Sequence, residues 1–309
     1  MRIHYGYDDL KLKNPVVTLG TFDGVHRGHL LLLTNLKKRA ADINGESVVI
    51  TFYPHPRKVL YSDSDSLMLL STLQEKIELL GECGIDYLVI VEFDREFSNK
   101  EACDFIEEVL VNKINSRQLV VGFNNHFGRR GEGDFNTVKQ CAERHNIKVE
   151  MVEAAESGSI IISSSVIREA LLSGRLEEAN DMLGYCYFIK GKIVEGKKLG
   201  RKIGYPTANV NPDDKDKLIP GNGVYAAEII IDEKKYKGVM SIGVNPTIDR
   251  NSSVRTIEIN IFRFRKEIYG REVKVIFRFR LRDEMAFNSL SELASQIEID
   301  KMRAIELLS

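Results

Sequence analysis

The chain has 309 residues, and its 44 lysines and arginines nearly balance its 45 aspartates and glutamates, which leaves a net charge of -1. This length is typical of about two domains. The balanced charge excludes a global electrostatic attraction to nucleic acid or to an anionic membrane, so we expect neither as a partner.

The N-terminus and the cysteines indicate where the protein works. The stretch MRIHYGYDDLKLKN lacks the apolar core of a signal peptide, and no apolar run is long enough for a membrane span. The four cysteines form no C-x-x-C pair, which is typical of reduced thiols in a cytoplasmic protein. We therefore expect a soluble cytoplasmic protein without a disulfide or zinc framework, and the sequence leaves its oligomeric state open.

Up to residue 184, short β-branched segments alternate with segments of helical spacing. We predict strands at residues 16–22, 47–53, 87–93, 118–123 and 147–153. Thr72 and Glu75 form a capping box before one of the intervening helices. Apolar strands separated by helices indicate a doubly wound, parallel α/β sheet. Such sheets bind ligands at the carboxyl ends of their strands, where the strand order reverses.

After Gly184 the pattern becomes that of an antiparallel β domain. Alternating segments predict strands at residues 187–196, 223–232, 234–244, 255–262 and 271–281. Five or six such strands favour a small closed barrel, because closure removes exposed edges. The last segment, SLSELASQIEIDKMRAIELL, predicts an amphipathic terminal helix. We place the two domains at residues 1–184 and 185–309.

The stretch GTFDGVHRGH, residues 20–29, follows the first predicted strand. A zinc site would need more ligands than His26 and His29 supply. At a helix N-terminus, two histidines three residues apart share a face and add imidazole donors to the free N–H groups that attract phosphate. A plain strand-to-helix turn with bystander histidines is the other interpretation, and spacing alone does not decide between the two.

Two later segments also have an excess of polar donors. SSSVIR places three serines at a helix start, with Arg168 in the first turn, where a positive charge opposes the helix dipole and favours a bound anion. VVGFNNHFGRRGEGD is a basic, glycine-rich segment after a strand, and by itself it is typical of a surface loop. The serine-arginine segment therefore supports a second phosphate-binding element.

The segment GKKLGRKIGYPTANV, residues 196–210, predicts a cationic loop that lacks the G-K-[ST] of a Walker A motif. It continues into a strand on which Thr207 and Asn209 face the same way and offer oxygen ligands to Mg²⁺. Glu258 is a candidate base for an alcohol, although it could equally lie on the solvent side of a strand. The basic and aromatic residues 263–282 could form a nucleic-acid surface, but F-R-F-R is more typical of a strand with phenylalanines inside and arginines outside.

The segments GTFDGVHRGH, TFYPHPR, VVGFNNHFG and SSSVIR resemble, in this order, the adenylyltransferase half of the bacterial bifunctional riboflavin kinase/FAD synthetase family. The resemblance implies that His26 and His29 stabilise the leaving pyrophosphate and that Arg168 binds the triphosphate. It implies further nucleotide- or flavin-binding positions: Gly20, Phe22, Asp23, Gly24, Gly28, Asn124, Ser164 and Ser165. Ser165 replaces the usual threonine, and Asn125 and His126 differ from the common flavin-loop pattern.

The segments GRKIGYPTANV, GVYAAEI, SIGVNPTI, RTIEINIF and EIYGREVKVIF are similar to the riboflavin kinase half of the same family. This similarity implies that Thr207 and Asn209 bind Mg²⁺ and ATP phosphates, that Glu258 is the catalytic base, and that Arg282 lies near the flavin. The glycine-rich loop, with Gly200, Arg201 and Gly204, is expected to bind nucleotide. Asn260 stands where histidine is frequent.

We therefore predict a bifunctional enzyme that converts riboflavin and ATP to FMN, and FMN and ATP to FAD, with Mg²⁺. Three alternatives remain open. One half could be inactive, most plausibly the adenylyltransferase at its Asn125/His126 loop. The fold could serve a nucleotide-binding regulator or an RNA-binding barrel. The first half could transfer a nucleotidyl group to another substrate, but this would leave PTAN and Glu258 unexplained.

Overall fold

The computed structural model describes residues 1–61, 67–123, 128, 133–196, 204–244, 255–264 and 266–309. These residues divide into two compact units, Met1–Ser164 and Ser165–Ser309. The predicted domain boundary at residues 184–185 lies after two helices that this division assigns to the second unit. The assignment of these helices to one of the two predicted domains stays a prediction.

Six of the described strands form the parallel sheet of the first unit. The strands are β1 (Arg2–Tyr5), β2 (Val16–Leu19), β3 (Ser47–Tyr53), β4 (Tyr87–Glu92), β5 (Gln118–Gly122) and β6 (Lys148–Val152). Their order is β1-β4-β3-β2-β5-β6, and every neighbouring pair is parallel. The predicted parallel sheet is confirmed, but β1 was missed, because four residues with mostly exposed side chains carry little apolar signal.

Helices cover both faces of this sheet, as expected of a doubly wound fold. Successive residues of the strands enter two separate cores: Val16, Val49 and Leu88 pack with α1 (Arg27–Asp42) and α3 (Leu73–Glu82). The opposite core packs against α5 (Ala102–Phe105), the π-helical segment Ile106–Val111 that continues it, and α6 (Phe135–Glu143). The four central strands, β2 to β5, are therefore apolar on both sides, which explains their continuous apolar sequences.

Short elements complete the first unit. Two brief helices, α2 (Pro56–Leu60) and α4 (Arg95–Ser98), follow β3 and β4. A small antiparallel hairpin of β7 (Glu156–Ser157) and β8 (Ile160–Ile161) precedes α7 (Ser164–Leu172). The sequence analysis did not predict this hairpin, because two-residue strands leave no periodicity to detect.

The cysteines correct one expectation. The structure joins Cys103 of α5 to Cys141 of α6 in a disulfide, whereas Cys83 and Cys186 are free thiols. The expectation of four reduced cysteines is therefore wrong for this pair. The two helices pack on the same face of the sheet, and a separation of 38 residues in sequence gives no indication of that contact.

The described strands of the second unit form a closed antiparallel barrel in the order β10-β13-β12-β11-β14-β9. Two helices precede it, α7 and α8 (Leu176–Leu183), and α9 (Leu290–Leu307) follows it. The strands are β9 (Phe188–Val194), β10 (Ala208–Pro212), β11 (Gly223–Ile231), β12 (Lys234–Val244), β13 (Arg255–Ile261) and β14 (Glu272–Arg282). The predicted barrel and terminal helix are confirmed.

The F-R-F-R segment of β14 departs from simple alternation. Ala226 and Ala227 of β11 pair with Phe279 and Phe277, so Arg278 is an extra residue in a β-bulge. Phe277 is fully buried beside Tyr225, with ring centroids 5.4 Å apart. Phe279 instead packs against the cluster that contains Ala304 of α9. The expectation that both phenylalanines face the barrel interior is therefore wrong for Phe279.

Candidate functional site

The turn after β2 lies where the strand order of the sheet reverses. Strands β3 and β4 continue the sheet on one side of β2, whereas β5 and β6 continue it on the other. Because all these strands are parallel, the turn at residues 20–26 and the segment after β5 leave the same edge, above adjacent strands. This edge is the position at which a doubly wound sheet binds its ligand.

The backbone of this turn is unusually contorted. Phe22, Gly24 and Val25 have positive φ angles of 48°, 81° and 38°. A left-handed conformation is unfavourable for a β-branched or bulky residue and persists only when its surroundings enforce it. Phe22 and Val25 are both buried, so apolar packing holds the turn in this shape.

The Asp23 side chain braces the turn from within. Its carboxylate accepts hydrogen bonds from the backbone N–H groups of Leu70 and Ser71, at 3.2 and 3.0 Å, and from the Ser71 hydroxyl at 3.4 Å. The Ser71 Oγ in turn accepts the Gly24 N–H at 3.0 Å. Asp23 is 1 % exposed. It connects the turn to the segment that starts α3, where the predicted capping box between Thr72 and Glu75 is present.

The two histidines lie against each other at the start of α1. His26 is the N-cap residue, and its ring stacks on His29 with a centroid distance of 3.7 Å and an interplanar angle of 18°. A Cβ at Gly28 would come within 3.2 Å of the His26 ring, so glycine leaves the space that the stacked pair occupies. The predicted sharing of one face by residues 26 and 29 is thus present in the structure.

His29 is held in its neutral form. Burial lowers the pKa of His29 well below its ordinary value of 6.5, and the charges of His26 and Lys76 lower this pKa further. The His29 Nδ1 is buried and makes no hydrogen bond in the described part of the chain. A neutral imidazole at a helix N-terminus can donate one N–H to a phosphate oxygen.

The serine-arginine segment reaches the turn through its second serine. Ser164 Oγ donates a 3.0 Å hydrogen bond to the Asp23 carbonyl oxygen. The Ile162 carbonyl lies 3.7 Å from the position that a Cβ on Gly28 would take. Ser165 and Arg168 follow on α7, in the second compact unit. Two motifs that are far apart in sequence therefore meet at Asp23 and Ser164.

Several predicted positions of this first site are not described. Asn124, Asn125 and His126 lie outside the described residues, so their contacts with flavin stay predictions. Gly20 leads into the turn, and a Cβ there would approach the Phe22 ring to 3.3 Å. Sequence reasoning missed Lys76 of α3, which is 5 % exposed and whose charge acts on His29. The pattern of apolar and polar residues along α3 identifies Lys76 only as one of the polar positions of the helix.

A second site lies where β10 and β13 pair. Asn209 is opposite Glu258 in the register, and Thr207 immediately precedes β10. The Thr207 hydroxyl donates a 3.0 Å hydrogen bond to Glu258 Oε2. A Cβ at Gly196 would lie 1.9 Å from the Asn209 Nδ2, so the amide fills the space above this glycine. The structure thus brings the predicted ligands Thr207 and Asn209 together with the predicted base.

Glu258 lies on the outer surface of the barrel. Its neighbours Ile257 and Ile259 are buried inside, whereas Glu258 is half-buried. The next outward residue, Asn260, donates through Nδ2 to the Pro206 carbonyl at 2.8 Å. Asn260 therefore fixes the backbone that presents Thr207, a contact that the sequence analysis did not anticipate.

The remaining predicted residues have different surroundings. Gly204 has a φ of 85°, which favours glycine, whereas Gly200 and Arg201 lie outside the described residues. Arg282 forms a bidentate ion pair with the buried Asp300 of α9, with N–O distances of 2.7 to 3.0 Å. Arg282 thus ties β14 to the terminal helix, and its proximity to flavin stays a prediction.

Neither a cluster of metal-binding side chains nor a membrane-spanning helix is found in the described ranges. No group of three or more His, Cys, Asp or Glu side chains among these residues could hold a metal ion. No described helix combines the length and the apolar character that a membrane crossing requires. The oxygen donors of Thr207, Asn209 and Glu258 are nevertheless the ligand type that Mg²⁺ prefers.

Comparisons with known proteins match two successive segments of the chain to two family models. A family model described as FAD synthetase matches residues 9–166, and one described as riboflavin kinase matches residues 183–308. A protein of Escherichia coli strain K12 named bifunctional riboflavin kinase/FMN adenylyltransferase is 36% identical over 293 residues, which cover 94% of this chain and 92% of that protein. A Bacillus subtilis strain 168 protein of the same name is 37% identical over 295 residues, with 95% and 92% covered.

A solved structure is also similar over nearly the whole chain. It is titled as a macrolide-efflux protein from Streptococcus pneumoniae, and it is 31% identical, with a TM-score of 0.88. The match covers 98% of both chains. Its title differs from the names of the curated relatives, which agree with both family models.

Proposed function

Because the chain belongs to the bifunctional riboflavin kinase/FMN adenylyltransferase family, we propose that it converts riboflavin and ATP to FMN, and FMN and ATP to FAD. The adenylyltransferase domain would comprise residues 1–184 and the kinase domain residues 185–309. The observation that supports this proposal is that each unit brings its family motifs together. His26 stacks on His29 beside the turn that Ser164 contacts in the first unit, and Thr207 contacts Glu258 in the second.

Adenylyl transfer requires little acid-base chemistry from the protein. The FMN phosphate is already an anionic nucleophile, so the site must align it with the α-phosphate of ATP and stabilise the leaving pyrophosphate. The N–H groups at the start of α1 and the stacked histidines would supply hydrogen-bond donors for these oxygens. Arg168, on the helix that Ser164 begins, would add a positive charge for the triphosphate.

The neutral state of His29 suits this role. An imidazole with a lowered pKa is uncharged at neutral pH, so His29 itself contributes no positive charge before phosphate binds. An arriving polyphosphate favours the protonated form and raises the pKa again. A protonated His29 would therefore donate a stronger hydrogen bond to the leaving pyrophosphate as negative charge builds up on it.

Phosphorylation of riboflavin requires a base for a hydroxyl group. Glu258 accepts the Thr207 hydroxyl through Oε2, and we assign its Oε1 to accept the proton of the riboflavin 5'-hydroxyl. Because the Thr207 Oγ donates its hydrogen to Glu258, its lone pairs remain available to a cation. Mg²⁺ would be held by Thr207 and Asn209, and it would neutralise charge on the ATP phosphates.

Two amide substitutions test the assignment of the sites. The full chain is incubated with riboflavin, ATP and Mg²⁺, or with FMN, ATP and Mg²⁺, and the flavins are separated by chromatography. We expect Glu258→Gln to abolish FMN formation while FMN still yields FAD, and His29→Asn to do the reverse. Glu272→Gln and His145→Asn, which change exposed residues, serve as controls and should leave both reactions intact.

The same assay distinguishes the alternatives. Loss of both activities in either folded variant would refute the assignment of the sites to the two halves. FMN formation by the unaltered chain without FAD would indicate an inactive adenylyltransferase half. Salt-sensitive RNA binding without turnover of riboflavin would indicate a binding protein. The requirement for Mg²⁺ is tested by adding a chelator, which should stop both reactions. The cytoplasmic location stays a prediction.

A further inference from the structure

Lys76 is a buried lysine for which the reactions above provide no role. It lies in the first turn of α3 and is only 5 % exposed. Its Nζ donates to the Thr51 Oγ1 of β3 at 3.4 Å. Lysines are almost never buried to this extent without a charged partner, because an ammonium loses its hydration. A buried lysine beside a ligand-binding edge is therefore a candidate for a functional role.

Lys76 is connected to the phosphate-binding turn by hydrogen bonds. Thr51, which accepts from Lys76, donates its hydroxyl to the Thr21 carbonyl at 3.3 Å. The residues just before α3 hold the same turn through the Asp23 carboxylate. Two residues of the strand-to-turn segment are thus held from α3 and the residues before it: Thr21 by Lys76 through Thr51, and Asp23 by Ser71.

The charge of Lys76 is only partly compensated. Burial lowers the pKa of Lys76 to about 8, and the nearby Asp23 carboxylate counteracts this effect in part. At pH 7 the side chain is still protonated, and its charge also lowers the pKa of His29. A positive charge therefore lies close enough to His29 to affect its pKa, in a low-dielectric region where it acts strongly on nearby anions.

We propose that Lys76 is a positioning residue of the adenylyltransferase site. It fixes the Thr21–Asp23 turn through Thr51, and its positive charge near His29 attracts the ATP polyphosphate and the leaving pyrophosphate. This inference rests on the proposed FMN adenylyltransferase activity. The alternative is a purely structural lysine that links α3 to β3. The two differ in whether the charge itself matters to the bound phosphates and to His29.

The test uses the full chain with three substitutions. Lys76→Met removes the charge, Lys76→Arg keeps it, and Lys38→Met makes the same chemical change on the exposed face of α1. FAD formation from FMN and ATP, and the reverse reaction with pyrophosphate, are measured for each variant. We expect Lys76→Met to lower kcat/KM for ATP by about tenfold to a hundredfold and to raise KM for pyrophosphate. Lys76→Arg should recover part of the loss, and Lys38→Met should show none.

Two further measurements separate folding from charge. Phosphorylation of riboflavin by the same preparations should be unchanged, and the circular dichroism spectra should match. The titration of His29, followed by NMR among the 6 histidines of the chain, should move to higher pH in Lys76→Met and stay unchanged in Lys38→Met. An unchanged His29 titration in a variant that still folds would mean that the charge of Lys76 does not act on this histidine.

The outcomes are distinguishable. If the unaltered chain forms FAD and Lys76→Met forms it with the same KM for ATP and pyrophosphate, Lys76 has no role in phosphate binding and the inference is overturned. An unshifted His29 titration in Lys76→Met overturns it as well. If the unaltered chain forms no FAD, the proposed adenylyltransferase function fails, while the His29 titration still decides whether the charge of Lys76 acts on that histidine.

Discussion

The buried charge of Lys76 should make the first unit less stable than it could be. Replacing Lys76 by methionine removes the charge and keeps a long unbranched side chain in the same space. The Asp23 carboxylate stays satisfied, since it accepts hydrogen bonds from Leu70 and Ser71. We therefore expect Lys76→Met to raise the free energy of unfolding of the first unit at pH 7, although it impairs FAD formation.

The magnitude follows from the pKa of Lys76. A fall from its ordinary value of 10.5 to about 8 corresponds, at about 1.4 kcal/mol for each pKa unit, to about 3 kcal/mol. Below pH 8 both states are protonated, so the native state bears the full penalty. Between pH 8 and 10.5 the unfolded chain binds more protons at this group, so the stability of the unaltered protein rises with pH. The advantage of Lys76→Met should shrink over the same interval.

The assay must report on the first unit, because a chain of two compact units need not unfold in a single step. Unfolding in urea is followed at pH 7 and pH 9.5 by brief proteolysis, with mass spectrometry to identify cleavage within residues 1–164. Lys38→Met is the control and should leave the stability unchanged. A lower stability of Lys76→Met at pH 7, or a difference independent of pH, would refute the idea that the buried charge of Lys76 is only partly compensated.

Three further predictions concern other parts of the fold. Gly196→Ala should displace the Asn209 amide, because the added Cβ would lie 1.9 Å from its Nδ2; kinetic assays should show a raised KM for ATP in riboflavin phosphorylation and unchanged FAD formation. Asp300→Ala should leave the half-buried Arg282 without its ion-pair partner and lower the stability of the second unit by about 2 kcal/mol, measured by urea unfolding. Thr72→Ala should remove the capping box and lower the stability of the first unit by about 1 kcal/mol in the same experiment.

The fold was predictable where periodicity is strong. The apolar strands of the first unit and the alternating strands of the second were found with boundaries that differ from the structure by a few residues. The edge strand β1 and the hairpin strands β7 and β8 were missed, because they have no buried side chains. The β-bulge at Arg278 was also unpredictable from sequence, since it depends on pairing with β11. The same holds for the pairing of Cys103 with Cys141.

The candidate sites were predictable as motifs but not as contacts. Spacing placed His26 and His29 on one face of a helix, and alternation placed Thr207 and Asn209 on one face of a strand. The contact between Thr207 and Glu258 required the pairing of β10 with β13, which no local pattern contains. The resemblance to a known family supplied their joint role in the sequence analysis.

The position of α3 beside the turn after β2 explains why the sequence analysis did not identify Lys76. In α3 the apolar residues mark the face that packs on the sheet, and Lys76 belongs to the polar positions of that pattern. The charge became buried because the start of α3 lies beside the turn that leaves β2, where Thr51 and Asp23 receive it. A carboxylate within a phosphate-binding turn would repel ATP if its charge were uncompensated. The hydrogen bonds to Asp23 and the positive charge of Lys76 offset this repulsion, so the turn can use an aspartate for its shape and still attract phosphate.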